Sequence, residues 1–258
     1  MNEPTSIIIL TMDCLEYTKR CLDSLARYTD NFELIIIDNG SGQETIDYLK
    51  ALKFKNLSLV FNDKNMGSPY AWDQGVKIAK HDYIAIVDND VLFSPNWLTY
   101  LQKCFEDKPD CGASSPTTSF SGGNRTDQKI KRARFTMSQD DINNYAKSLE
   151  HGYIDCQIYG FAFLTHKKVI DKIGVFDYKR YGIGTFEETD FFWRAGKVGF
   201  KTYWVTHSYV HHYGHSTFIE SSIDLDKIHR ENRLKYFDRT ANDPNLFIEN
   251  DVEVSAVE

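Results

Sequence analysis

Four short apolar segments, each followed by polar residues, constrain the fold of this chain more than any other feature. The segments are Ser6–Leu10, Leu34–Ile37, Leu57–Phe61 and Tyr83–Val87. Segments of this length and apolar content are typical of strands that are buried on both faces of a sheet. Stretches with helical spacing of apolar residues separate them, and strands that alternate with helices form parallel sheets covered by helices. The sequence therefore predicts an α/β protein.

Polar patterns mark the expected starts of four helices. They are Asp13 with Glu16, Ser41 with Glu44, Ser68-Pro69 and Ser94-Pro95. The first two have the spacing of a capping box, and in the other two a serine N-cap precedes a proline at the first helical position. Each pattern predicts that the polar side chain caps its own helix.

The second half of the chain is less regular. Residues 112–152 begin with a small, polar segment, and we predict that they leave the sheet. Gly160–Thr165 and Thr202–Val205 are predicted strands, and 222 to about 237 is a predicted helix. No internal repeat or linker divides the chain, which favours a single domain with a helical tail at its C-terminal end.

Charge and composition exclude several classes of protein. The chain has 258 residues, of which 41% are hydrophobic, so disorder of the whole chain is excluded. With 30 basic and 37 acidic residues, its net charge of −7 argues against nucleic-acid binding. No apolar run reaches the ~18 residues of a transmembrane segment, and the N-terminus does not have the pattern of a signal peptide. The five cysteines form no CxxC pair, which predicts reduced thiols in a cytoplasmic protein.

The ends of the predicted strands carry the candidate chemistry. Polar residues follow each of the four strands: Thr11 and Asp13, Asp38 and Asn39, Asn62 to Gly67, and Asp88 and Asp90. Ligands of open parallel sheets bind at the carboxyl ends of the strands. In Asp88-Asn-Asp90, two carboxylates directly after a buried strand can meet a hard divalent cation and a ribose at once. We therefore expect a metal-assisted site for a phosphorylated ligand at this edge.

The order and spacing of the motifs resemble those of the family-2 glycosyltransferases of the GT-A fold. The matching segments are Ser6–Thr11, Ile35–Ser41, Asn65-Met-Gly67 with Gly75, Asp88-Asn-Asp90, Phe186–Arg194 with Gly199-Phe-Lys, and His211–Thr217. The resemblance implies a Rossmann-like, mostly parallel central sheet flanked by helices. It implies a glycosyltransferase domain over 1–220, with a nucleotide-sugar-binding half (1–105) and an acceptor and catalytic half (106–220). A helical C-terminal extension would cover 221–258.

The resemblance also implies roles for individual residues. Glu188 matches the catalytic base, with Glu187 as the alternative. The metal ligands would be Asp90, Asp88 and His215, with His211 as the second choice of histidine. The nucleotide sugar would be held by Thr11, Asp13, Asp38, Asn39, Asn65, Gly67, Asp88 and Asn89. Trp193 and Arg194 are expected on the acceptor side.

The function implied is transfer of a sugar, with inversion, from a nucleoside diphosphate sugar to a hydroxyl of a glycan or a protein. Mn²⁺ or Mg²⁺ would be the cofactor. A UDP-sugar is favoured because Asp38 can accept a hydrogen bond from a pyrimidine N–H. Two other classes stay open, a sugar nucleotidyltransferase and a non-catalytic carbohydrate-binding module. The histidines of 211–215 leave a zinc site as a further interpretation.

Overall fold

A computed structural model describes residues 2–120, 128–133, 135–214, 224–241 and 243 of the chain. The strands are β1 (Thr5–Thr11), β2 (Phe32–Asp38), β3 (Leu57–Phe61), β4 (Tyr83–Asp88), β5 (Val91–Phe93), β6 (Cys111–Thr118), β7 (Tyr153–Asp155), β8 (Ala162–His166) and β9 (Lys201–His212). The helices are α1 (Leu15–Tyr28), α2 (Gln43–Ala51), α3 (Ser68–Ile78), α4 (Trp97–Asp107), α5 (Gln128–Ala133), α6 (Gln139–Ser148), α7 (Lys167–Ile173), α8 (Tyr178–Tyr181), α9 (Glu187–Lys197) and α10 (Leu225–Thr240). Within these described ranges, no helix combines the length and apolar character needed to cross a membrane.

The described strands form one mixed sheet. Its order is β3-β2-β1-β4-β8-β6-β9-β5, and β7 pairs with β9 outside this path. The first four strands are parallel to one another, as predicted. Beyond β4 the sheet is mixed, because β8 runs antiparallel to both β4 and β6, while β9 runs parallel to β6. The prediction of an α/β domain with a central sheet flanked by helices is confirmed.

Both faces of the sheet are buried, which explains the continuous apolar segments. Side chains alternate along β1, so Ile7 and Ile9 pack with α1 and α4, whereas Ile8 packs on the opposite face with α3, α7 and α9. All three isoleucines are fully buried. Each buried side chain of this size stabilises the fold by roughly 1.5–3 kcal/mol.

All four predicted caps are wrong, although the helices begin within a few residues of the predicted positions. The observed N-caps of α1, α2, α3 and α4 are Cys14, Gly42, Gly67 and Asn96, and none of them caps its helix through its side chain. The predicted capping residues bond elsewhere in the chain: the Asp13 N–H donates to the Ser41 hydroxyl, and the Asp13 carboxylate accepts from the Gly42 N–H. The Ser94 hydroxyl donates to the carbonyl of Tyr209. Contacts between segments therefore override the local pattern.

The prediction that residues 112–152 leave the sheet is wrong at its start. Cys111–Thr118 is a buried interior strand, β6, between β8 and β9. Three of its four hydroxyl groups are compatible with burial because they donate to backbone carbonyls: Ser114 to Leu101, Ser115 to Ala162 and Thr117 to Thr206. The hydroxyl of Thr118 has no hydrogen-bond partner among the described residues. The small, polar composition of this segment indicated a loop. Hydrogen bonds from its side chains to neighbouring elements allow it to form a buried strand instead.

None of the five cysteines, all of which lie in the described part of the chain, forms a disulfide bond. The sulfurs of Cys104 and Cys111 come within 3.9 Å of each other inside the core formed by α4 and β6. Burial raises the pKa of the Cys21 and Cys111 thiols well above its usual range, so both are held in the protonated, unreactive form.

Glu33 on β2 is a buried carboxylate at the amino-terminal edge of the sheet, with 2% of its surface exposed. Its Oε1 accepts hydrogen bonds of 2.6 Å from the Ser6 hydroxyl and from the Lys80 backbone N–H. The Lys80 ammonium is 3.3 Å from Oε2. Burial opposes ionisation, but these partners outweigh it and lower the pKa of Glu33 below its usual value. Glu33 therefore stabilises the fold in its charged form.

We expect Glu33→Gln to lower the free energy of unfolding by about 1–3 kcal/mol near neutral pH, because charge-assisted hydrogen bonds are lost. A carboxylate with a lowered folded-state pKa stabilises the protein above its unfolded-state pKa, and this stabilisation disappears as the pH falls through the folded-state value. The difference between parent and variant in urea unfolding should therefore shrink in acid. Glu44→Gln, on the exposed side of α2, is the control. A difference that does not change with pH would contradict this role.

Candidate active site

The carboxyl ends of β1, β2 and β4 lie side by side. Thr11, the last residue of β1, is paired with Asp38 of β2, and Leu10 is paired with Asp88 of β4. Asp88 and the following turn lead into β5, which is antiparallel to the end of β9. The structure therefore brings the predicted strand-end residues to one edge, together with a segment from the second half of the chain.

Asp88, Asp90 and His212 form a cluster that fits a divalent cation. One potential ligand atom from each residue lies within 4.8 Å of the others. His212 Nε2 is 3.1 Å from Asp90 Oδ1 and 3.8 Å from Asp88 Oδ2. His212 Nδ1 is 2.8 Å from the carbonyl oxygen of Phe120, an arrangement in which Nδ1–H donates and Nε2 faces the two aspartates. Histidines that bind metals are commonly oriented by such a second hydrogen bond.

The electrostatics of the cluster favour binding of a positive charge. Burial raises the pKa of Asp88 to about 7, and the neighbouring charges of Asp90 and Glu188 add to the rise while His212 opposes it. Burial disfavours the charged form of His212, but the two aspartates outweigh it and raise the pKa of His212 to about 9. A divalent cation would take the place of the imidazole proton, since a ligating histidine must be neutral.

His212 is the residue of this cluster that the sequence analysis missed. His211, the predicted neighbour, points to the other side of β9, where it is fully buried, with its Nδ1 3.1 Å from the hydroxyl of Tyr209. His215 lies outside the described residues. The ring of Phe161 stacks on that of His212 at a centroid distance of 5.3 Å. Side chains alternate between the two faces of β9, and the end of β9 pairs with β5 next to Asp90. Together these two features could have identified His212 as the histidine that faces the aspartates.

Asp38 is the strand-end carboxylate with unused hydrogen-bonding capacity. Its side chain is buried, Oδ2 accepts a 3.3 Å hydrogen bond from the Ser41 N–H, and Oδ1 has no hydrogen-bond partner among the described residues. A buried carboxylate oxygen without a donor is unfavourable. Asp38 Oδ1 is therefore a ready acceptor for a ligand N–H or O–H.

Asn39 and Asn65 shape the loop after β3 through a network of amides. The Asn39 side chain donates to Asn65 Oδ1 at 2.9 Å and accepts from the Met66 N–H at 3.0 Å. Asn65 Oδ1 also accepts from the Gly67 N–H. Gly67 has a φ of +86°, and a Cβ there would lie 2.2 Å from the carbonyl oxygen of Gly182. These residues hold the loop between β3 and α3 at the same edge as Asp38.

Thr11, Asp13 and Asn89 have structural partners. The Asn89 amide donates to the hydroxyls of Thr11 at 3.2 Å and Thr18 at 2.9 Å, and Asn89 is itself buried. This network holds the turn between Asp88 and Asp90 against the start of α1. Asp13 has positive φ and joins the loop after β1 to the loop after β2. The three residues support the edge, and Asp13 is also exposed at it.

Glu187 and Glu188 begin α9 and lie near the cation cluster, since both interact electrostatically with Asp88. Glu187 is 3% exposed; its Oε1 accepts a 2.6 Å hydrogen bond from the Ser68 hydroxyl, and Oε2 has no partner in the described part of the chain. Burial, reinforced by the charge of Glu188, raises the pKa of Glu187 to about 8. Glu188 is partly exposed and lies against Gly160, where a Cβ would be 2.9 Å from its Cγ. Ser68, predicted as an N-cap, is a second residue whose site contact the sequence did not reveal.

Trp193 and Arg194 face away from this edge. The Trp193 indole N–H donates to Asp243 at 2.5 Å. The Arg194 guanidinium bonds Asp190 at 2.8 Å and the carbonyl oxygens of Ile173 and Val175 at 2.5 and 2.7 Å. Trp193 thus bonds to a residue beyond α10, and Arg194 joins α9 to the end of α7 and the segment after it. The structure does not bring the two predicted acceptor-side residues to the cation cluster.

Comparison with known proteins gives the family of the chain. The model of glycosyl transferase family 2 matches residues 6–174, and the chain belongs to this family. It is 25% identical over 152 residues to the putative glycosyltransferase EpsH of Bacillus subtilis (strain 168), which covers 58% of this chain and 43% of EpsH. The chain therefore spans less than half the length of that relative.

Solved structures share the fold. The mannosyltransferase PcManGT from Pyrobaculum calidifontis, in complex with GDP-Man and Mn²⁺, aligns with a TM-score of 0.65 at 13% identity, over 94% of this chain and 65% of its own. GalNAc-T7 with UDP, GalNAc and Mn²⁺ aligns with a TM-score of 0.64 at 16% identity, over 82% of this chain and 44% of its own. The predicted GT-A fold is thereby confirmed.

We expect His212→Ala and Asp90→Asn each to weaken Mn²⁺ binding by about 10- to 100-fold, because each removes a ligand atom or its charge. Free Mn²⁺ measured by electron paramagnetic resonance during a titration reports the affinity directly. His81→Ala is the control, since His81 precedes β4 at the opposite edge of the sheet. Parent-like binding by His212→Ala, or a larger loss in His211→Ala, would show that this cluster is not the cation site.

Proposed function

We propose that the chain is a metal-dependent, inverting glycosyltransferase that moves a sugar from a nucleoside diphosphate sugar to a hydroxyl of a glycan or a protein. The observation that carries the proposal is the cation-fitting cluster of Asp88, Asp90 and His212, which lies at the same edge of the sheet as Asp38 and near the carboxylates of α9. Family membership supports glycosyl transfer. The sugar nucleotide and Mn²⁺ in the PcManGT complex support the kind of donor and cofactor.

The donor is proposed to bind across the ends of β1, β2 and β4. Asp38 Oδ1, buried and without a partner among the described residues, would accept a hydrogen bond from the nucleobase. A uracil N–H suits this acceptor, so we retain UDP as the favoured nucleotide. The loop of Asn65 and Gly67 forms the adjacent wall of the same edge. Residues 1–105 thus supply most of the donor contacts, while His212 comes from the half assigned to the acceptor.

The cation, Mn²⁺ or Mg²⁺, would be held by Asp88, Asp90 and His212. When bound, it supplies positive charge that stabilises the diphosphate as a leaving group. The protein's own contribution is to keep the imidazole oriented, through the carbonyl of Phe120 and the stacked ring of Phe161. Thr11, Thr18 and Asn89 keep the two aspartates on one turn.

Glu188 is proposed as the general base that takes the proton of the acceptor hydroxyl. A base must be ionised and reachable by the substrate. Glu187 fails the second condition, because it is buried and its carboxylate is bonded to the Ser68 hydroxyl. Glu188 is partly exposed, and its pKa is also raised by burial, which strengthens it as a base. Inversion follows if the hydroxyl held by Glu188 attacks opposite the diphosphate.

Incubation of the chain with a panel of nucleotide sugars, Mn²⁺ and hydroxyl acceptors tests the proposal. We expect release of a nucleoside diphosphate that requires the divalent cation and stops when it is chelated. In a parallel incubation with nucleoside triphosphates and sugar 1-phosphates, release of pyrophosphate would identify a nucleotidyltransferase instead. Binding of sugars without turnover of any donor would identify a carbohydrate-binding module.

We expect Glu188→Gln to lower kcat by about 10²–10⁴-fold, because the amide keeps the size of the side chain but does not accept a proton. The affinity for donor and Mn²⁺, measured by calorimetry, should change little. Glu187→Gln is the matched comparison one residue away, and we expect a smaller effect on kcat. Near-parent turnover in Glu188→Gln with a large loss in Glu187→Gln would reverse the assignment.

A further inference from the structure

The segment that leads into the two glutamates has an unusual backbone. In the turn 182–186, Gly182, Gly184, Thr185 and Phe186 all have positive φ, at 59°, 140°, 70° and 67°. Thr185 and Phe186 carry side chains that disfavour this region, and a β-branched threonine does so strongly. Strained backbone persists only where surrounding contacts hold it, and it is common at functional sites. Glu187 follows directly, so the direction of both carboxylates depends on this turn.

One side of the 182–186 turn is held by the loop of the proposed donor site. The Ser68 N–H donates to the carbonyl of Ile183 at 3.0 Å, and Gly67 approaches the backbone of Gly182 closely. These contacts connect the turn to α3 but leave the carbonyls of Gly184 and Thr185 to another partner.

The other side of the turn is held by α10, and in particular by Asn232. The Asn232 side chain is 1% exposed, and its Nδ2 lies 2.9 Å from the carbonyl oxygen of Tyr181, 2.5 Å from that of Gly184 and 3.3 Å from that of Thr185, so its two N–H groups are shared among three acceptors. The ring of Phe186 packs against His229 and Tyr236 of the same helix, with centroid distances of 4.9 and 5.6 Å. Every carbonyl bonded by Asn232 thus lies within the turn or next to it.

The way in which α10 docks makes this contact specific. The buried residues of α10 are Asn232, Tyr236 and Thr240, which are spaced four apart and are all polar. The helix is therefore attached through directed hydrogen bonds, one aromatic cluster and the ion pairs of Arg239 with Asp177 and Asp190. A side chain of similar size without amide N–H groups would not reproduce the contacts of Asn232.

We propose that Asn232 is a positioning residue for glycosyl transfer, which holds the strained 182–186 turn so that Glu188 points at the acceptor. The inference rests on the proposed function, which assigns the role of general base to Glu188, a residue that directly follows this turn. It goes beyond that function in giving the C-terminal helix a part in catalysis, although α10 contributes no described residue to the cation cluster.

The test compares Asn232→Ala and Asn232→Asp with the parent protein. The first variant removes the amide, and the second keeps its shape but places an acceptor against three carbonyl oxygens. We expect kcat for transfer to fall by about 10- to 100-fold in both, since small displacements of a catalytic group have effects of this size. The Kd of donor with Mn²⁺ should stay within about twofold. Hydrogen exchange of the amides of 184–190 should become faster.

Thr29→Val is the matched control for a loss of stability alone. It leaves the buried indole N–H of Trp97 without its 2.9 Å partner at the opposite edge of the sheet, so it also breaks a buried hydrogen bond. We expect a lowered Tm with parent-like kcat. Measuring the Asn232 variants well below their Tm keeps unfolding out of the comparison, and Asn232→Asp leaves no cavity.

The outcomes separate the inference from the function on which it rests. Parent-like kcat in both Asn232 variants, or a loss in Thr29→Val as large as theirs, would overturn the inference. A loss of donor affinity in proportion to kcat would overturn it too, because Asn232 would then act on the donor site. If the parent transfers no sugar, or if neither Glu188→Gln nor Glu187→Gln slows transfer, the proposed function fails and the inference fails with it.

Discussion

The pairing of β1 with β2 on one side and with β4 on the other is the constraint on which the rest of the structure depends. The three strands are parallel and in register, so their last residues lie at one level. The register is fixed by two different cores, because a shift of one residue would exchange every side chain of β1 between the α1–α4 face and the α3–α7–α9 face. Packing of isoleucines inside the sheet therefore decides which carboxylates meet at its edge.

Strands from the second half of the chain complete the site, because the strand direction in the sheet reverses at β8 and again at β6. β8 returns antiparallel to β4, and β6 is antiparallel to β8, so β6 and β9 run with β4 and end at the same edge. The end of β9 then brings His212 to the aspartates, and α9 brings its two glutamates to the same region. The family model covers residues up to 174, so both contributions come from the part of the chain beyond it.

The sequence allowed the first half of the fold to be predicted well, and the second half only in part. Continuous apolar segments identified β1 to β4, because burial on both faces leaves a clear local pattern. β6 was missed, since three of its four hydroxyl groups donate to carbonyls of residues in other elements, which the local sequence does not show. The predicted caps at Asp13, Ser41 and Ser94 failed for the same reason: these side chains bond to other segments.

The candidate site likewise combines residues that the local sequence identifies with residues that only the folded chain brings together. The aspartates of the cation cluster follow directly from the end of β4, where composition and position agree. Choosing among His211, His212 and His215 requires the register of β9 against β5, which no local pattern contains. The support given by Asn232 to the 182–186 turn was equally hidden, because α10 and the turn meet only in the folded molecule.

The position of His212 also determines when the cluster can exist during synthesis. The chain leaves the ribosome from its N-terminus, and the parallel strands β1 to β4 can pair before β9 has been made. At that stage Asp88 and Asp90 are present without their imidazole, and β5 lacks the strand with which it pairs. Arrival of β9 then completes the sheet and the ligand set together. A nascent chain therefore brings Asp88, Asp90 and His212 together only when β9 pairs with β5. A chain that ends before β9 does not contain the complete set of cation ligands.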